Sequence, residues 1–247
     1  MDFKEPEYFL EFVKFQKSIL KKYKDFIKRK LSENYKKAAI FVYWLNDYIE
    51  YIKAEKTFNP SMNMAYKRGQ IVFVNFGFRI GNELGGNHYA VVLDVKNSKY
   101  SKTLTVIPLK SKKDKETKYS SIYHVQLGEC VKILLEDKAN DILSKNSVAA
   151  MRVAIKLTSK TPPPNDEIVK NFTELKRNKR IAFNILEYTQ KLKDESVADV
   201  GQIITISKQR INHPCKNKDI LAGVILPEEL MYEIEKKILK LYSHAFD

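Results

Sequence analysis

Arg68-Gly69-Gln70-Ile71-Val72-Phe73-Val74-Asn75-Phe76-Gly77 is the stretch on which the fold turns. Its centre, Gln70–Phe76, is short, β-branched and aromatic, the composition of a strand. Gly77–Gly86 holds four glycines and reads as a loop. Beyond it, His88–Val95 and Thr103–Leu109 read as two further strands, and Ser121–Leu127 alternates as a fourth.

Working outward, the period changes from two to that of a helix. Upstream, Phe9, Phe12, Val13, Leu20, Tyr23, Ile27 and Leu31 carry helical spacing through residues 4–31. Ser32 is placed to cap a second helix reaching about Phe58, with Ala39, Val42, Leu45, Ile49 and Ile52 on one face. Together they predict a helical hairpin over residues 1–60, ended by Asn59-Pro60-Ser61. Downstream, helical character returns from about 130 to 193. It comprises a helix over 131–145, a break at Pro162-Pro163-Pro164, and a long helix capped by Asn165 or Asp166. Val197–Ile206 returns to strand character. Residues 211–220 read as a loop, Ile220–Ile225 as a short strand, and Pro227 as the start of a last helix to about Tyr242. The division is therefore 1–60 as a helical extension and 61–247 as a β-rich core carrying a helical insertion at about 130–193.

A chain of 247 residues with 44% hydrophobic content can bury a core. Two cysteines, Cys130 and Cys215, cannot build a disulfide framework and fit a reducing cytoplasm. The charged start and a longest apolar run of only Ala38–Leu45 predict neither a secretory signal nor a membrane span. Net charge is +14, which favours a polyanionic partner or reflects lysine used as general surface polarity. Residues 96–120 concentrate it, with eight lysines against Asp114 and Glu116.

Four ordered blocks resemble the MazF/PemK (Kid) toxins of type II toxin–antitoxin systems. The opening strand at 68–77 is one. Ile80-Gly81-Asn82-Glu83-Leu84-Gly85-Gly86-Asn87-His88-Tyr89-Ala90-Val91-Val92-Leu93 is similar to the family's G-x-E-x-x-G loop followed by R/H-P-A-V-V-L. Thr105-Val106-Ile107-Pro108-Leu109-Lys110-Ser111 resembles its third strand, which ends in P-L-T-S. Ser196-Val197-Ala198, continuing to Gln202-Ile203-Ile204-Thr205-Ile206-Ser207-Lys208-Gln209-Arg210-Ile211, resembles S-V-x-x-x-x-Q-I-R-T-I-x-K-x-R-I. The resemblance implies an α+β fold: an SH3-like β-barrel of the CcdB/MazF/PemK type, with an N-terminal helical hairpin and an inserted helical segment. It further implies a cytoplasmic homodimer, sequence-selective and metal-independent cleavage of single-stranded RNA, no cofactor, and neutralisation by a cognate antitoxin protein. Two alternatives share the fold: a nucleic-acid-binding or regulatory module with weakened catalysis, and a CcdB-like topoisomerase inhibitor.

Metal-free RNA cleavage needs a base for the 2′-hydroxyl proton, an acid for the 5′-oxygen and donors for the charged phosphorane. His88, where the family carries Arg or His, is the candidate acid or base. The family's hydroxyl donor after the third strand is replaced by Lys110, so either Lys110 contacts the phosphate or Ser111 acts in its place. Glu83 either orders the glycine loop or assists proton transfer. Arg79, Asn87, Lys110, Lys112, Lys113, Gln202 and Thr205 are the expected RNA contacts. Gly201 stands where an acid is common in the family and Ile204 where Arg is common. Asp199, two residues from Gly201, shares its face on a strand. His124, His213 and Cys215 lack the spacing of a zinc site.

Overall fold

The structure is a computed structural model that describes residues 5–112 and 119–244. It divides into two compact units, Met1–Phe58 with Gly77–Ile80, and Asn59–Phe76 with Gly81–Asp247.

The first unit is built on helices α1 (Phe9–Glu33) and α2 (Tyr35–Ala54). The expected cap, Ser32, lies inside α1, its hydroxyl donating to the Arg29 carbonyl at 2.8 Å. Asn34 caps α2 instead, its Oδ1 accepting from the Lys37 amide at 3.0 Å. Asn satisfies an orphan N–H there as well as Ser would, so the turn falls two residues later than expected. An aromatic seam joins the helices: Phe41 stacks on Tyr23 and takes the edges of Phe26 and Phe78. Gly77 has φ +79°, and a Cβ there would lie 2.6 Å from the Trp44 ring. Only a glycine permits both that backbone and that approach. Ala38 is the one fully buried side chain of α1 and α2.

The second unit is an antiparallel sheet with three helices. Its strands are β1 (Ile71–Asn75), β2 (Asn87–Val92), β3 (Thr103–Ser111), β4 (His124–Gly128), β5 (Ser196–Asp199), β6 (Ile204–Ser207) and β7 (Ile211–His213). The order is β4-β5-β3-β2-β1-β7, with β6 also on β3. Nine-residue β3 is the hub: β2 lies on one edge, and β5 and β6 follow one another along the other, separated by the tight turn Val200–Gln202. The ladder among the described residues does not close on itself. A turn at Lys208–Arg210, a three-residue β7 and a register shift at Phe73/Val74 interrupt it where closure would continue.

The central strands are apolar on both faces because both are covered. Ile71, Val91, Ile107 and Leu109 face a core shared with α3 (Cys130–Leu157), α4 (Asn165–Gln190) and α5 (Glu228–Tyr242) through Leu135, Ala139, Ala182, Ile185 and Ile234. Val72, Val74, Ala90, Val92, Leu104 and Val106 face the other side, against Tyr66, Phe76, Ile206 and Ile211. Each buried Val, Leu, Ile or Phe among these contributes roughly 1.5–3 kcal/mol by leaving water.

Helix α3 runs twelve residues past its expected end at 145. Two polar residues past that point are accommodated: the Ser147 hydroxyl donates to the Leu143 carbonyl and the Asn146 amide donates to the Leu175 carbonyl on α4. Neither Asn165 nor Asp166 caps α4; Pro164 holds the cap position, while Asp166 and Glu167 lie in the first turn and favour the helix dipole. The expected strand at 220–225 is a series of turns with one bridge, Gln70 to Ile225. The Lys138 ammonium explains this, since it draws the carbonyls of Asp219, Ile220 and Ala222 at 3.2, 2.8 and 2.7 Å. Carbonyls converging on one cation cannot alternate outward to a ladder. The expected loop at 211–220 begins instead with β7, paired to β1.

No helix among the described residues is long and apolar enough to cross a membrane.

Candidate active site

His88 is the second residue of β2, opposite Val74 on β1. It is half-buried, and burial is the main influence holding its pKa below the usual 6.5. Backbone hydrogen bonds at Leu109 and Gly85 act the other way, and the Lys110 charge adds to the lowering. The imidazole is thus neutral near pH 7 and able to accept a proton.

Register explains why Lys110 acts on it. β2 and β3 pair Ala90 with Pro108, so two residues further along His88 comes opposite Lys110 on the same face. On the far edge of β3, Lys110 pairs with Val197, and Asp199 follows two residues later, again on that face. His124 on β4 pairs with Asp199. The side chains meet: Lys110 Nζ lies 2.6 Å from Asp199 Oδ2, His124 Nε2 lies 3.6 Å from the same oxygen, and Lys110 Nζ and His124 Nε2 are 3.5 Å apart. Tyr119 lies against the His124 ring, with centroids 5.1 Å apart, and its hydroxyl donates to the Ser111 carbonyl.

The remaining expected residues are dispersed. Ser111 is exposed and, one residue beyond Lys110, continues the opposite face of β3, that of Ile107 and Leu109. Glu83 is exposed in the glycine loop, and Asn87 is exposed at the start of β2. Lys112 is engaged with Glu195 through both its ammonium and its amide, at 2.8 and 2.9 Å. Gln202 fastens the glycine loop, accepting from the Leu84 amide at 3.2 Å and donating to the Asn82 carbonyl at 3.4 Å. Thr205 is exposed and meets Thr105 across β3–β6 at 3.0 Å. Arg79 is part of the first unit, and Lys113 lies outside the described residues. Sequence reasoning treated His124 only as a poor metal ligand and Asp199 as an incomplete substitute. Their one signal was facing parity on strands whose partners a single sequence does not reveal. Among the described residues no three or more His, Cys, Asp or Glu side chains gather as a metal site.

A neutral histidine beside an ion-paired lysine on one sheet face is an acid–base and anion-binding arrangement. Residues 67–170 match the family described as PemK-like, MazF-like toxin of type II toxin-antitoxin system, the family that the sequence blocks resemble. The match spans β1 through β4, all of α3 and the start of α4, so it enters the helical insertion; the late block at 196–211 lies beyond it. No curated protein matches the chain significantly.

Proposed function

We propose that the protein is the endoribonuclease toxin of a type II toxin–antitoxin pair, cleaving single-stranded RNA sequence-selectively and without a metal. The observation that carries this reading is His88, kept neutral by burial beside the Lys110 charge, within the segment that matches the toxin family. In the reaction the 2′-hydroxyl gives its proton to the His88 ring and its oxygen bonds to phosphorus. The bond from phosphorus to the 5′-oxygen breaks, and that oxygen leaves with a proton from water. Of the two candidate donors at the end of β3, Lys110 is favoured because it shares the face of His88, whereas Ser111 continues the other face. Asn87, exposed next to His88 in sequence, and Thr205 are proposed to contact RNA, and Glu83 to order the glycine loop or assist proton transfer. Gln202 acts by holding the glycine loop. β1–β3 with β5 and β6 form the part read as the SH3-like barrel. A homodimer in the cytoplasm, and an antitoxin protein that covers the site, complete the reading.

The test is cleavage of single-stranded RNA in excess EDTA by the wild type and by His88→Ala. Cutting by the wild type, reduced about 100-fold or more in the variant, is expected. A pure wild-type protein that does not cut, or equal cutting by both, refutes the reading.

A further inference from the structure

Resting on the ribonuclease reading above, we propose that Lys110 is the cation that meets the scissile phosphate beside His88, and that Asp199 and His124 are the positioning residues that aim it. Three observations lead there. Asp199 is buried, its side chain 4% exposed, whereas the Lys110 side chain is 29% exposed. The carboxylate anchors the ammonium from within the fold and leaves its outer side open.

The second observation is the tautomer of His124. Its Nδ1 lies 3.0 Å from the Ser120 carbonyl, which can only accept, so Nδ1 carries the hydrogen. In the neutral ring Nε2 then presents a lone pair, and it faces the Lys110 ammonium at 3.5 Å. Two of the three ammonium protons are directed inward, to Asp199 Oδ2 and to His124 Nε2. The third has no partner among the described residues and is free for a phosphate oxygen.

The third is Gly201. A Cβ there would lie 3.2 Å from Tyr123 Cδ1 and 3.4 Å from Asp199 Oδ1. A side chain at this position would press first on Tyr123 and reach contact with Asp199, so glycine leaves the carboxylate its place. In the reaction Lys110 keeps its proton and stabilises the negative charge gathering on the non-bridging oxygens.

Lys110→Met alone strands a buried carboxylate, so the test uses the double variant Lys110→Met/Asp199→Asn alongside Asp199→Asn, His124→Ala and Lys110→Arg. Each is measured by cleavage kinetics and by binding of an oligonucleotide whose 2′-hydroxyls are replaced by hydrogen. The double variant is expected to lose about 100-fold in kcat and to bind the uncleavable oligonucleotide about tenfold more weakly. Asp199→Asn and His124→Ala should lower kcat with little change in KM, and Lys110→Arg should restore part of the loss. A second readout follows the His88 ring by NMR titration. The charged group acting on it is Lys110 from β3, which is in turn paired with Asp199 from β5. Removing the lysine should raise the His88 midpoint, a shift that a merely structural Lys110 would not cause. A folded double variant that binds the uncleavable oligonucleotide as tightly as the wild type, with an unmoved His88 midpoint, overturns the proposal. Intact binding dependence on Lys110 in a wild-type protein that never cuts would sink the nuclease reading and leave the phosphate contact standing.

Discussion

At the residue scale, His88 is the proposed base, and its environment sets a pH dependence. Its pKa is lowered in the folded protein, first by burial, so the unfolded chain binds this proton more tightly. His88 therefore contributes a stability that increases with pH below about 6.5 and is lost as pH falls through that range. Activity follows the same group: the acid limb of a kcat/KM profile should fall below pH 6.5, the ordinary histidine value. A limb above pH 7 that disappears in His88→Ala would contradict this assignment. His88 stood out in the sequence as a candidate because it sits inside a motif. Lys110 was legible as a departure from one. Asp199 and His124 were not legible as partners, since they reach Lys110 only through β3–β5 and β4–β5 registers. Those registers are set by pairing between strands separated by the whole of α3 and α4, which no local spacing encodes.

At the element scale, β1, β2 and β3 declared themselves because β-branched residues cluster where both sheet faces are buried. Elements defined by one long-range contact did not. The turns at 219–222 owe their shape to Lys138, whose pKa is lowered chiefly by burial and which bonds three carbonyls. Replacing it by Met should cost about 1–3 kcal/mol, because those carbonyls lose a charged donor. Thermal unfolding should show a Tm lower by several degrees, and an unchanged Tm would mean that water replaces the lysine without loss. The same logic explains α3. Asn146 finds a carbonyl on α4 and Ser147 one within α3, so α3 continues past 145. A second tie, between the hydroxyls of Tyr89 on β2 and Tyr188 on α4, joins the insertion to the strand that carries His88.

At the scale of the whole molecule, the chain holds two units with unequal cores. The two buried clusters of the sheet unit draw on no residue of α1 or α2. Removing residues 1–58 should therefore leave a sheet unit that still unfolds cooperatively, as followed by circular dichroism and calorimetry. Loss of the cooperative transition would show that the hairpin completes the fold. The toxin-family match covers 67–170, so it takes in β1–β4 and reaches the insertion but includes neither the hairpin nor the strand that supplies Asp199. Lys110 lies inside the matched segment and Asp199 beyond it, and the β3–β5 pairing brings the two together. The claim that this face cuts RNA through the 2′-hydroxyl is tested most directly by the product ends. In EDTA, a single-stranded RNA substrate should yield 2′,3′-cyclic phosphate and 5′-hydroxyl ends, and one 2′-deoxy substitution at the scissile nucleotide should abolish cutting there. Products bearing 5′-phosphates, or unchanged cutting of the deoxy-substituted strand, would contradict the account.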